Sequence, residues 1–156
     1  MRKGVAIVFG LAVLTGGCGS GGGGETTSAR TTPKADEAAA KFAVRVQAQL
    51  KSGRFAEAWR TLHPAERNVV SAQRLASCYP RNQFPAAATF RARKVRDVRW
   101  TVPGTGETGD AKEITIAVSS KNGPADTFTQ HLVRVGGGWA WMLSSAYFKR
   151  AKNGTC

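Results

Sequence analysis

Residues 128–143 read Phe128-Thr129-Gln130-His131-Leu132-Val133-Arg134-Val135-Gly136-Gly137-Gly138-Trp139-Ala140-Trp141-Met142-Leu143, and this stretch decides the fold. Three glycines flanked by β-branched and aromatic residues predict a hairpin. One strand runs from Phe128 to Val135, the turn lies at Gly136-Gly137-Gly138, and a second strand runs from Trp139 to Leu143. Working backward, the period of two persists as far as Phe90. Val98, Trp100 and Val102 alternate up to Pro103-Gly104, and Ile114, Ile116 and Val118 alternate up to a turn at Asn122-Gly123. Between Phe90 and Val98 the apolar parity slips, which predicts a bulge or an irregular entry.

Upstream of Phe90 the period is helical. Thr32-Pro33 reads as a helix start, with Asp36 and Glu37 in the first turn, where carboxylates suit the helix dipole. Ala39, Phe42, Ala43, Val46 and Leu50 form one apolar stripe, ended by Ser52-Gly53. A second helix carries Phe55, Ala58, Trp59 and Leu62 and breaks at His63-Pro64. Another turn or two follows to Val70, and Ser71 caps a short helix bearing Leu75 and Cys78, stopped by Tyr79-Pro80. Helices first and a meander of strands afterwards give an α+β layout. N-terminal helices pack on one face of a curved antiparallel sheet of about four strands.

Three features carry a resemblance. They are Phe55-x-x-x-Trp59-x-x-Leu62-His63-Pro64, the capped helix ending at Cys78, and the closing run Leu132-Val133-Arg134-Val135-Gly136-Gly137-Gly138-Trp139. Over roughly residues 35–148 the chain resembles exported bacterial lipoproteins of the nuclear transport factor 2-like superfamily. That resemblance implies a cone of helices against a bent sheet with a pocket inside. The superfamily includes isomerases, dehydratases and non-catalytic accessory domains, so it carries no activity across.

The N-terminus reads as an export signal. Arg2 and Lys3 precede ten unbroken apolar residues, Val5 to Leu14, which as a helix reach only about 15 Å, half of a bilayer core. Leu14-Thr15-Gly16-Gly17-Cys18 resembles a bacterial lipobox, with Thr15 where that pattern has a large aliphatic residue. The resemblance implies cleavage before Cys18 and a diacylglyceryl group on its sulfur. The expected organisation is a signal peptide over residues 1–17, a lipidated cysteine and disordered Gly/Ser/Thr tether over 18–33, and a folded domain over 34–156. The expected location is the extracytoplasmic face of a bacterial cell membrane. With Cys18 modified, Cys78 and Cys156 remain as a pair in an oxidising compartment. A bond between them closes a 78-residue loop, worth about 4–5 kcal/mol by chain entropy.

The chain has 156 residues and a net charge of +13, or +11 once Arg2 and Lys3 are removed. The basic residues are scattered from Lys34 to Lys152, the pattern of an ordinary solvated surface; the alternative reading is attraction to anionic envelope polymers or lipids. Phe90 to Trp100 interleaves Arg91, Arg93, Lys94, Arg96 and Arg99 with aromatics, but in an exported protein no nucleic-acid partner is expected. Gly104-Thr105-Gly106-Glu107-Thr108-Gly109 matches G-x-G-x-x-G. A strand, not a helix, is predicted after it, so it reads as a hairpin loop. Two distant histidines offer no metal-ligand spacing, and no cofactor is expected.

His63, in Leu-His-Pro, reads as a helix-end cap. His131 is the candidate general acid/base, because its ordinary pKa lies near neutrality. Which face of its strand points inward stays open: Thr129, Val133 and Val135 share its face, while Phe128 and Leu132 lie on the other. Trp59, Trp100, His131 and Trp141 are the candidate ligand-binding residues. The reading is therefore a membrane-tethered, non-catalytic binding domain for a small apolar ligand or a surface partner. The alternatives are a pocket isomerase or dehydratase using His131, and a structural spacer.

Overall fold

The computed structural model describes residues 33–79, 84–120 and 123–156. The segments expected as signal peptide and tether up to residue 32, Cys18, Pro80 and Asn122 lie outside the described residues. Helices α1 (Pro33–Lys51), α2 (Phe55–Arg60), α3 (Pro64–Arg67) and α4 (Ala72–Cys78) come first. Strands β1 (Thr89–Thr101), β2 (Thr108–Ser120), β3 (Gly123–Val135) and β4 (Gly138–Trp141) follow, and α5 (Ser145–Asn153) ends the chain. The sheet is a curved antiparallel meander in the order β1-β2-β3-β4. The α+β layout is the one the sequence predicts. No described helix is long and apolar enough to cross a membrane.

The apolar stripe of α1 is what fixes it to the sheet. Ala39, Phe42, Ala43, Val46 and Leu50 are all buried, in one cluster with Ile114 and Ile116 of β2 and Leu132 of β3. Each fully buried Leu or Ile side chain contributes about 1.5–3 kcal/mol of transfer free energy. Ala58, Leu62, Val70 and Leu75 extend this core through the short helices, with Phe55 and Trp59 packed against it. The link between α2 and α3 covers the outer edge of β4. Leu62 bridges Trp141, the Trp141 N–H donates to Thr61 O at 3.1 Å, and the His63 N–H donates to Trp141 O at 2.9 Å. A bare strand edge would invite pairing with other chains, so this cover has a protective effect.

The register of β1 against β2 shifts between Ala92 and Lys94, which is the bulge implied by the parity slip. The β3–β4 hairpin turns on two residues, Gly136 (φ 55°) and Gly137 (φ 81°), with Val135 facing Gly138. Two successive positive φ angles give the turn whose twist matches the strands, and glycine adopts them without strain. The G-x-G-x-x-G match closes the β1–β2 hairpin and leads into β2, not into a helix. Gly104 there has φ 84°, and a Cβ on it would run into the Phe148 ring of α5.

Two differences from the sequence reading stand out. The fourth strand stops at Trp141 instead of Leu143, and α5 follows it. Ser144 caps α5, accepting from the Tyr147 N–H, and Gly154 ends it in the left-handed conformation. Cys78 and Cys156 are joined, with Cα atoms 4.9 Å apart, which clamps the end of α5 to α4. His63 stands at the N-cap position of α3 but its imidazole caps nothing there; the backbone N–H bond to Trp141 holds it.

Candidate functional site

The pleat sorts the candidate residues onto two faces. Phe128, Gln130 and Leu132 of β3 face the helices, together with Ile114 and Ile116. His131 and Val133 face the other way, and there a second apolar cluster forms from Val102, Ala111, Val133, Ala140 and Met142, with Val98 and Trp100 against it. Both faces of β3 are therefore packed.

On the helical side lies a cavity of about 160 Å³. It exists because β4 is only four residues long and pairs with β3 over Leu132–Val135. The preceding part of β3 has no strand on that side, so consecutive residues Phe128, Thr129, Gln130 and His131 all border the space along the strand edge. Leu50, Tyr79, Trp141, Leu143 and Tyr147 supply the apolar and aromatic walls. Thr129, His131 and Ser144 add polar groups at its border, and a pair of amides is buried in its wall. Gln47 of α1, 6% exposed, donates from Nε2 to Oε1 of Gln130, 5% exposed, at 3.2 Å. The Gln130 Nε2 is buried without a hydrogen-bond partner among the described residues. A buried amide donor left unsatisfied costs about 1–3 kcal/mol, so the arrangement favours a guest or water that accepts from it.

The two tyrosines of the wall stay protonated near neutrality. Burial pushes the Tyr79 phenol up to about 12. Burial, with Tyr79 nearby, raises Tyr147 as well, and the Tyr147 hydroxyl donates to Leu75 O at 3.2 Å. Trp141 lines the cavity with its ring while its Nε1 donates to Ala58 O at 2.8 Å.

The other candidates are elsewhere. Trp59 is anchored by its Nε1 donating to Val70 O at 2.6 Å, with Arg67 over its ring. Trp100 lies on the opposite sheet face, stacked on His131 with ring centroids 3.4 Å apart. His131 Nε2 is 3.4 Å from Glu113 Oε2, and Arg96 pairs with the other oxygen of Glu113. Burial lowers the His131 pKa and Glu113 partly offsets this, while Arg96 first and His131 second hold the Glu113 carboxyl low. His131 thus belongs to a half-buried Trp–His–Glu–Arg row on the sheet face opposite the helices, while its strand edge borders the cavity.

Two buried ionisable groups escaped sequence reasoning. Glu66 is fully buried, and its Oε2 accepts from the Leu143 N–H at 3.1 Å. Burial raises its pKa to about 8 despite that hydrogen bond, so it is largely protonated at neutral pH. Lys112, 4% exposed, sits on the helical face between Asp36 at 2.6 Å and Asp97 at 2.7 Å. Burial opposes its charge, and the two carboxylates outweigh burial and raise its pKa. It pins the first turn of α1 to β1. Among the described residues no His/Cys/Asp/Glu cluster could hold a metal ion.

Compared with protein families, curated proteins and solved structures, the chain gave no match.

Proposed function

We propose that this chain is a lipid-anchored, extracytoplasmic binding domain of nuclear transport factor 2-like architecture, and that its cavity takes a small neutral molecule without reacting with it. The observation that carries the reading is the neutral Gln47–Gln130 amide pair inside an aromatic-walled space. Amides orient a guest by hydrogen bonds but neither take nor give a proton at neutral pH. A cavity of about 150 Å³ holds a benzene-sized molecule, while drug-sized sites run to about 300–1,000 Å³. The class that fits is therefore a single ring bearing a neutral hydrogen-bonding group. The anchor part rests on the cysteines: Cys78 and Cys156 are bonded to each other, which leaves Cys18 as the remaining thiol.

Benzamide and benzoate serve as probes in a side-chain amide and indole NMR titration. Benzamide is expected to shift the Gln47, Gln130 and Trp141 side-chain signals, benzoate to bind at least about tenfold more weakly, and Gln130→Leu to cost about tenfold in benzamide affinity, or 1.4 kcal/mol. Equal binding of both probes, unaltered by Gln130→Leu, would remove the amide pair from the account. For the anchor, Cys18→Ser should move the protein from the membrane to the soluble fraction.

A further inference from the structure

The sheet face opposite the helices carries a row of cations along β1, and the bulge puts them there. Before the bulge, Arg91 stands opposite Ala117; after it, Lys94 stands opposite Thr115 and Arg96 opposite Glu113. Ala117, Thr115 and Glu113 alternate with Ile114 and Ile116, which face the helices, so all three cations share the other face. Unbroken alternation from Arg91 would instead turn Lys94 and Arg96 toward the helices and Val95 outward. The extra residue, Arg93, has no partner across the ladder and is exposed. Arg96 is paired with Glu113, whereas Arg91, Arg93 and Lys94 have no carboxylate partner among the described residues. Beside this row the same face presents Thr115, Thr127 and Thr129, through the pairings Thr115–Thr129 and Ala117–Thr127.

We infer that this face binds a linear phosphodiester polymer without bases, of the polyglycerol phosphate class, with successive phosphates on Arg91 and Lys94. Charge complementarity is the first reason: three uncompensated cations fall within four residues, and the carboxylate on this stretch of the face, Glu113, is already paired with Arg96. Spacing is the second. Residues that alternate on one face follow each other at about 6.7 Å, and an extended phosphodiester chain with three carbons between phosphates repeats at a similar length. Arginine matches phosphate oxygens in pairs, and the threonine hydroxyls donate to those left over. Two other polyanions fit less well. Arg91, Lys94, Ala117, Thr115, Thr127 and Thr129 include no aromatic ring on which a nucleic-acid base could stack, and no large apolar side chain to enter a membrane. β1 is the outer strand of the sheet, and a bulge with cations also guards such an edge. Guarding needs charge on the strand, but it does not need the charges sorted onto one face. The inference is independent of the cavity reading.

The test is calorimetry of the full chain at low salt with four probes: a synthetic glycerol-phosphate decamer, glycerophosphoglycerol, an oligothymidylate decamer and phosphatidylglycerol vesicles. The glycerol-phosphate decamer should bind, the oligothymidylate and the vesicles at least about tenfold more weakly per phosphate, and glycerophosphoglycerol not measurably. Arg91→Ala with Lys94→Ala, both at exposed positions, should weaken decamer binding at least about tenfold. Lys149→Ala with Lys152→Ala removes the same charge from exposed positions of α5 and should leave the affinity within about twofold. An equal loss in the two double variants would reduce the effect to net charge and overturn the proposal. So would no binding of the decamer, equal binding of oligothymidylate or vesicles, or a single glycerophosphoglycerol binding as tightly as the decamer. Benzamide shifts at Trp141 should persist in both variants, which confirms their fold and separates failure of this face from failure of the cavity.

Discussion

The imidazole of His131 lies flat on the indole of Trp100, with planes 14° apart, on the sheet face opposite the helices. A titratable ring so placed is held by stacking and by Glu113, not by a guest. Catalysis in the cavity would need a proton carrier aimed into it; His131 borders the cavity at the strand edge, but its ring is stacked on Trp100.

His131 should therefore titrate below its ordinary 6.5, because burial outweighs Glu113. Glu113→Gln removes the favourable carboxylate and leaves Arg96 nearby, so it should lower the pKa further. A folded value below the unfolded one means that stability contributed by neutral His131 is lost as pH falls through about 6.5. Histidine NMR titration reads the pKa directly; an upward shift on adding benzamide, or a value above 6.5, would contradict the placement. His131→Ala should change benzamide affinity by less than about tenfold.

Glu66 makes the opposite kind of prediction. Its folded pKa of about 8 stands above the ordinary 4.5. Between those values the unfolded chain loses the proton and the folded chain keeps it, so stability falls as pH rises through that window. The accumulated loss above pH 8 is on the order of 5 kcal/mol, at about 1.4 per unit. Glu66→Gln keeps an oxygen for the Leu143 N–H and removes the ionisation. It should be close to wild type at pH 4 and more stable by about 2–4 kcal/mol at pH 9, in urea melts at both values. Equal pH profiles in the two proteins would show that Glu66 is not buried as described.

The elements whose signals are local were legible in the sequence. The α1 stripe, the Ser71 cap and the parity slip before Val98 each reflect a backbone period that one chain segment dictates alone. Helix α5 was not legible, because nine residues with Lys149, Arg150 and Lys152 among them give a short, weak period beside a strong strand. The inward face of β3 stayed open for a different reason. Phe128 and Leu132 on one side and Val133 on the other are all apolar because the sheet carries a cluster on each face. Gln47, Gln130, Glu66 and Lys112 could not be found by pattern. Polar residues read as solvent-facing until distant elements supply their partners, and Gln47 and Gln130 are 83 residues apart.

Lys112→Met tests the charge at the core's edge. The methionine fills similar volume, and Asp36 and Asp97 each retain contact with water. Since the carboxylates resolvate, the cost should be about 1–2 kcal/mol, well under the 3–5 seen when a fully buried pair is broken. Hydrogen exchange should quicken in the first turns of α1, which Lys112 ties to the sheet through Asp36, and stay unchanged in β3. A loss above about 4 kcal/mol would mean that the two carboxylates are more deeply buried than they stand here.

The Cys78–Cys156 bond fixes a helix that has few other ties. Phe148 and Ala151 are buried, and Tyr147 reaches Leu75 O, but the remaining α5 positions are largely exposed. The bond spans 78 residues, so its removal should cost about 4–5 kcal/mol by chain entropy, and less if the unfolded chain keeps structure. Cys156→Ser removes it without disturbing α4. The variant should fold, with α5 the first element to lose hydrogen-exchange protection, because its terminal contacts open without disrupting α1 or the sheet. Loss of protection in β2 before α5 would show instead that the bond supports the whole core. Non-reducing peptide mapping of the wild-type chain should recover the Cys78 and Cys156 peptides as one joined species, and two free thiols there would end the account of α5 as a clamped helix.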